Sequence, residues 1–429
     1  MSMGDWGETK ISQFGAIITG STPDTRNINY WGGDIPFVSP ADFNSSAFVL
    51  KTDRTLTNQG AKQARVVPKN SILVTCIGSI GGIAIASWSC VTNQQINSVI
   101  CGENFDARFV YFLIQNNLFR LKELAGITTL PIINKSTFGN IEIICPKSKS
   151  EQEQIAAILS TIDRAIEQTE AIIAKQQRIK TGLMQDLLTK GIDEDGNVRS
   201  EETHEFKDSP LGRIPVDWDV QLLDKLAERG SGHTPNKTHQ EYWNGGIKWV
   251  SLADSSKLDN IYIFDTDKEI SEQGLKNSSA VLHPKGTVIV SRDAGVGKSA
   301  ILSTQMAVSQ HFIVWRCSRN LNNYYLYYWL QKDKPKFEGI ALGSTIVTIG
   351  LQFFREYLIA IPNLLDEQIF IAQIIKHSDE CLCEHQHNLE KLKRQKTGLM
   401  QDLLTGNVRV IALLNDQNKT PIHETVTLK

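Results

Sequence analysis

Three features of the sequence predict an α+β chain made of two copies of one unit, each a mixed α/β globular portion followed by a long helix. The string TGLMQDLLT occurs at 181–189 and again at 397–405, an offset of 216 residues in a chain of 429. An exact repeat at half the chain length marks internal duplication. The same offset carries Pro146 onto Pro362, Glu151-Gln152 onto Glu367-Gln368, Asp163 onto Asp379, Gln94 onto Gln310 and Pro68 onto Pro284. Nearer the start the offset is 212, matching Trp6 with Trp218, Gly20 with Gly232, Thr22-Pro23 with Thr234-Pro235, and Tyr30-Trp31 with Tyr242-Trp243. The third feature is a 4-3 spaced stripe near the end of each copy, which predicts that the two helices form an antiparallel coiled coil related by a pseudo-twofold axis.

The first globular portion is expected at 1–150 and the second at 209–362. Runs at 71–76 and 287–291 are rich in β-branched residues and follow Pro-x-Asn and Pro-x-Gly turns, so they read as strands. Segments 83–86 and 300–302 follow glycine-rich turns and read as their partners. Short helices are predicted at 109–116 and 324–331. The first long helix, 151–190, follows Pro146, with Ser150 three residues before Glu153 as a capping box. Its stripe runs Ile155, Leu159, Ile162, Ile166 and on to Leu183. The second helix, 363–405, has Asp366 as its expected cap and a stripe from Ile371 through Ile375, Ser378 and Leu382 to Leu399. An acidic, glycine-bearing linker is expected at 191–208 and a C-terminal tail at 406–429.

Composition is ordinary for a globular chain, 41% hydrophobic and 21% charged. The first ten residues are polar and acidic, and no apolar run approaches the roughly 20 residues that span a bilayer. Seven cysteines, unmatched between the copies, argue against a disulfide framework. A cytoplasmic protein without membrane contact is expected. The net charge of -2 excludes bulk electrostatics as the means of holding nucleic acid. Such binding would need local patches and partner chains.

Several motifs invite chemistry and fall short of it. Gly295-Val-Gly297-Lys298-Ser299 resembles the end of a phosphate-binding loop. Arg292, however, stands where that loop needs its first glycine, and the residues after Ser299 read as strand. Cys381, Cys383, His385 and His387 are soft metal ligands, but on a helix they form two i, i+4 pairs about 160° apart. Trp31, Trp243 and Trp249 fit either base stacking or an aromatic core shared by both copies. No nucleophile, general base or Pro-Pro methyltransferase motif recurs in both halves. No catalytic residue, metal ligand or cofactor is therefore expected.

Taken in order, Gly20-Ser-Thr-Pro23, 30–38 (YWGGDIPFV), Gly232-His-Thr-Pro235, 242–250 (YWNGGIKWV), the glycine turns at Gly78 and Gly295, the lead-in 209–218 and the two helix ends resemble the DNA-specificity (S) subunits of type I restriction-modification systems. The likeness covers nearly the whole chain. It is weakest at 1–6, where the lead-in of the first copy is almost absent. The resemblance implies two target recognition domains that each read half of a bipartite, asymmetric double-stranded DNA target. The helices would serve as a ruler between half-sites. Implied partners are two modification subunits and, in some systems, restriction subunits.

Reading bases directly takes Arg or Lys for guanine and Asn or Gln for adenine. The candidates are Asn93, Gln94 and Gln95 in copy one, and Lys237, Arg292, Lys298, Gln310 and His311 in copy two. Retention of Gln94 and Gln310 in both halves also fits a scaffold role. The identical helix ends suggest docking to identical partners through Leu183, Met184 and Leu187 and through Leu399, Met400 and Leu403. The rival reading is a coiled-coil scaffold whose globular domains bind proteins rather than DNA.

Overall fold

The computed structural model describes residues 5–44, 46–125, 131–293, 295–342 and 348–410. The expected tail from residue 411 onward, and residues 1–4 of the first lead-in, lie outside the described residues. The chain divides into two compact units, one of 1–172 with 385–429 and the other of 173–384. Each long helix therefore contributes to both.

In the first unit, Gly15–Thr19, Ile96–Cys101, Ile72–Thr75, Ile83–Ala86 and Phe48–Val49 form a five-stranded sheet in that order. Its pairings are antiparallel apart from the last. A four-stranded sheet follows the order Arg54–Leu56, Trp31–Val38, Cys90–Thr92, Val66–Val67, and Trp6–Lys10 pairs with Glu142–Pro146. The strand Ile72–Thr75 is buried throughout, as its unbroken β-rich run requires. Helix Ala107–Asn116 starts where the Phe109 N–H meets the Asp106 carboxylate at 2.9 Å. It packs against three strands of the larger sheet, burying Phe109, Phe112 and Leu113.

The second unit repeats this topology. Its larger sheet runs Ala227–Ser231, Phe312–Cys317, Val288–Ser291, Ser299–Leu302, Tyr262–Ile263. Its smaller sheet runs Lys268–Ile270, Trp243–Val250, Met306–Val308, Leu282–His283, and Trp218–Leu222 pairs with Leu358–Pro362. The expected helix 324–331 is longer here, Asn323–Leu342, and runs through Pro335. Proline in a helix interior costs about 3 kcal/mol. Phe337 and Ala341 beyond it are buried in the aromatic core, which offsets that loss.

The long helices span Lys149–Lys190 and Leu365–Leu404. The first starts earlier than the sequence suggests, with Ser148 rather than Ser150 at its cap, where the Ser148 hydroxyl accepts from the Glu151 N–H at 3.4 Å. Asp366 falls in the first turn of the second helix instead of capping it. There its charge still complements the helix dipole. The predicted stripes are the covered faces, from Ile155 and Leu159 in one helix and Ile371 and Ile375 in the other. In the first unit the Lys396 ammonium meets Asp163 at 2.6 Å and Lys393 meets Glu170 at 3.1 Å, an antiparallel register. Lys180 pairs with Asp379 in the second. The lysines at stripe positions are thus neutralised by the repeat-related aspartates. Burial pushes the Asp163 carboxyl above its ordinary value, and Lys396 opposes that shift.

The retained Glu-Gln pair explains how each helix is seated. Buried Gln152 donates to the Pro146 carbonyl at 3.0 Å and accepts from the Asp106 N–H at 3.0 Å. Gln368 donates to the Pro362 and Asn320 carbonyls at 3.1 Å and accepts from the Asn322 N–H at 3.0 Å. Each glutamine ties a helix start to a strand end and to the cap of a shorter helix. Glu151 takes Arg409 in two hydrogen bonds of 2.7 and 2.9 Å, and Glu367 takes Arg199 at 3.2 Å. The linker 191–208 is therefore anchored through Arg199 and also pairs Phe206–Lys207 with Ile214–Pro215.

Burial limits which side chains of the repeated string are open to a partner. Met184 and Leu187 lie in the core of the second unit, with Leu183 packed beside them. Met400 and Leu403 lie in the core of the first, with Leu399 at its edge. These side chains face their own protein, so the buried ones cannot form a partner surface. Gly191 and Gly406 stop the helices with φ of 66° and 77°. A Cβ on Gly191 would come within 2.6 Å of the Trp218 ring, and one on Gly406 within 3.2 Å of Trp6. Just beyond each string the chain closes on the same arrangement of tryptophan, helix start and arginine.

Candidate nucleic-acid interface

In each unit the Gly-x-Thr-Pro loop runs against the turn that leaves the third strand of the smaller sheet. Ser21 N–H donates to the Thr92 carbonyl at 2.8 Å, and His233 N–H to the Val308 carbonyl at 3.1 Å. The approach is so close that a Cβ on Gly20 would stand 2.1 Å from the Asn93 oxygen, and one on Gly232 1.7 Å from the Val308 oxygen. Only glycine fits. The loop then delivers a threonine hydroxyl to a glutamine, Thr22 to Gln94 Oε1 at 2.7 Å and Thr234 to Gln310 Oε1 at 2.5 Å. Each bond fixes the amide so that its nitrogen is left to donate.

The tryptophans form the adjoining wall. Trp31 Nε1 donates to the Asp24 carbonyl at 3.2 Å, and Trp243 Nε1 to the Asn236 carbonyl at 3.3 Å. Trp31 packs edge-to-face on Phe37 and Trp243 on Trp249. They serve as partly exposed structural aromatics. In the first unit the Arg54 guanidinium lies 3.5 Å from the Trp31 ring centroid. In the second, Lys268 is the register partner of Trp249, as Arg54 is of Phe37.

The sequence candidates separate clearly. Thr234, Lys237, Trp243, Lys268, Gln310 and His311 line one open cleft of about 650 Å³ in the second unit. Gln94 is the exposed equivalent of Gln310, whereas Asn93 and Gln95 bond each other, Nδ2 to Oε1, at 2.8 Å. His311 Nδ1 is held by Asp293, and Arg292 Nε lies 3.8 Å from the same carboxylate. Lys298 is drawn off by the Ser255 carbonyl at 3.0 Å. Arg54, Lys268, Asp293 and Thr348 were absent from the sequence candidates. Arg54 and Lys268 sit within the stretch where the repeat offset changes, so the alignment of copies hides their equivalence.

The decoys resolve as local structure. The Gly295 segment turns between Val288–Ser291 and Ser299–Leu302, with φ of 74° at Gly295 and 81° at Gly297. A strand follows it, not the helix whose N-terminus holds phosphate. The Cys381 to His387 run lies along the second long helix. Among the described residues no group of three or more His, Cys, Asp or Glu is placed to hold a metal ion. Among them also, no helix is long and apolar enough to cross a membrane.

The chain matches the family described as the type I restriction modification DNA specificity domain twice, over residues 3–176 and 215–394. It is 27% identical over 416 residues to the type I restriction enzyme MjaIX specificity subunit of Methanocaldococcus jannaschii, covering 95% of this chain and 94% of that one. It is 33% identical over 171 residues to the HindI specificity subunit of Haemophilus influenzae, 38% of this chain and 37% of that one. Among solved structures it resembles the type I restriction-modification S subunit from M. genitalium, with a TM-score of 0.61, 16% identity and coverage of 94% and 97%. With two family domains spanning most of its length on one repeated framework, the chain belongs to the type I restriction-modification DNA-specificity family.

Proposed function

We propose that this protein is the non-catalytic subunit that selects the DNA sequence for a type I restriction-modification complex. Each globular domain reads one half of a bipartite, asymmetric target in the major groove. The observation that carries this reading is one framework built twice with different reading positions. The Thr22–Gln94 and Thr234–Gln310 pairs are common, while the flanking residues are Asn93 and Gln95 in one domain and Ser309 and His311 in the other. Two modules that share a scaffold and differ in the residues beside the shared glutamine suit a target with unlike halves.

With a net charge of -2 the chain supplies little of the phosphate grip itself. Two modification subunits, with restriction subunits in a cleavage complex, provide that grip and the chemistry in the cytoplasm. Helices of 42 and 40 residues, about 60 Å long at 1.5 Å per residue, set the unread spacer. The test is binding to duplexes in the presence of a modification subunit. One bipartite sequence should be selected, and affinity should fall steeply with salt. Exchanging the first globular domain for another recognition domain should change one half-site only. Binding without sequence preference, or a domain exchange that leaves the selected sequence unaltered, refutes the proposal.

A further inference from the structure

Beside its Thr–Gln pair the second unit carries a polar cluster that the first lacks, on the same backbone. Arg292 N–H donates to the His311 carbonyl at 3.0 Å, and Ile349 N–H to the Arg292 carbonyl at 2.8 Å. In the first unit Cys76 N–H donates to the Gln95 carbonyl at 2.7 Å, and Ile133 N–H to the Cys76 carbonyl at 2.8 Å. Asp293, His311 and Thr348 thus occupy the framework positions of Ile77, Gln95 and Ile132.

The chemistry at these positions differs in kind. Gln95 is consumed inside its own loop, accepting from Asn93 at 2.8 Å and donating to the Ile77 carbonyl at 3.4 Å. His311 instead gives its Nδ1 to one oxygen of Asp293, while the Thr348 hydroxyl bonds the other oxygen. With both oxygens engaged, the carboxylate sets the ring orientation. Nε2 takes only a long hydrogen bond, 3.4 Å, from the Gln310 amide nitrogen, which a base amino group would replace, and a third of the side chain is exposed.

We propose that His311 is a specificity-determining residue of the second recognition domain, and that Asp293, braced by Thr348, is its positioning residue. The assignment rests on the reading above that this cleft meets DNA bases. An imidazole whose Nδ1–H is committed to a carboxylate presents Nε2 as an acceptor. In the major groove its complement is an exocyclic amino group, adenine N6 or cytosine N4. Gln310 is common to both domains and Ser309 on its other side is buried, so the exposed difference beside it is His311 in place of Gln95. Without Asp293 the ring would sample other rotamers and both tautomers, and DNA binding would have to select one of them.

The experiment uses the full-length chain assembled with its modification subunit, selecting from duplexes randomised in both half-sites. The unaltered protein should recover one bipartite sequence; recovery of none overturns the domain reading and this assignment together. His311→Gln should lose roughly tenfold of the preference at one base pair, all of it in one half-site. Asp293→Ala should lose preference at the same base pair, and Asp293→Asn, which still accepts from Nδ1–H, should retain it. If the unaltered protein is selective and His311→Gln leaves every preference in place, the assignment fails while the domain reading stands. A loss spread evenly over all sequences also overturns it, because that marks a phosphate contact.

Discussion

Replacing Arg199 with methionine removes the guanidinium from a nearly buried carboxylate while keeping a side chain of similar reach. The two partners are 11% and 9% exposed. Glu367 Oε1 accepts from the Ile192 N–H at 3.2 Å and from Trp218 Nε1 at 3.3 Å, whereas Oε2 has Arg199. Breaking a buried pair by deleting one partner costs about 3–5 kcal/mol. The two N–H donors that remain place this case near the lower end, about 3 kcal/mol at neutral pH. Burial already holds the Glu367 carboxyl above its ordinary value of 4.5, and Arg199 opposes that shift. Without the arginine the folded-state value rises further. A carboxyl whose folded value is raised adds stability that is fully present below the unfolded value and lost as pH rises through the folded one. The deficit of the variant should therefore be full at pH 7.5 and shrink as the pH falls toward 4.5. Urea unfolding at pH 7.5 and 5.0, compared through midpoints at a common slope, measures it. A loss below about 1 kcal/mol at pH 7.5, or a deficit that grows on acidification, would refute the reasoning.

Arg409→Met perturbs the repeat-related contact on Glu151, but Arg409 is 27% exposed, so a smaller cost of about 2 kcal/mol is expected in the same assay. Gln368→Leu leaves one N–H and two carbonyls unpaired, against one of each for Gln152→Leu. At about 1–3 kcal/mol per orphaned group, the first should lower the urea midpoint more than the second, and equal losses would contradict the inventory. Gly232→Ala drives a Cβ onto the Val308 carbonyl and should displace Thr234 from Gln310. Affinity should then fall in the half-site read by the second domain, checked by competition with half-site variants. Lys396→Met should destabilise most at neutral pH and least in acid, because burial raises the Asp163 carboxyl; a pH-independent loss would assign Lys396 a packing role instead.

Most of the scaffold was legible because periodicity and repetition report burial directly. The stripes from Ile155 and from Ile371 are the covered helix faces, and 83–86 is a strand with the expected bounds. Helix boundaries shifted because a cap is chosen by local geometry, and Ser148 and Ser150 present the same chemistry in sequence. The second short helix runs past its expected end at 331 to Leu342 and through Pro335, because Phe337 beyond the proline is buried in the core, which no local pattern records. Among the candidate site residues, Gln94, Lys237, Gln310 and His311 face open space or the cleft. Lys298 and Asn93 were chosen for side chains that already have partners nearby, a fact invisible without coordinates. Arg54 and Lys268 escaped because a change of offset breaks the equivalence that register restores.

The amino-acid sequence alone determined that the chain is a duplicated α+β unit with two long striped helices, and that its likeness is to the DNA-specificity subunits. The duplication and the stripes follow from repetition and period, which act along the chain, and the likeness is carried by motifs kept in the same order in both copies. Only the tertiary structure decided which side chains of the repeated TGLMQDLLT are buried. Its Met184 and Leu187 lie in the core that holds Trp218, and its Met400 and Leu403 in the core against which Trp6 packs. Identity between copies looked like an answer to identical partners outside the protein. At Met184, Leu187, Met400 and Leu403 it answers to cores within the protein, because a side chain's burial depends on contacts far away in sequence that no local pattern records.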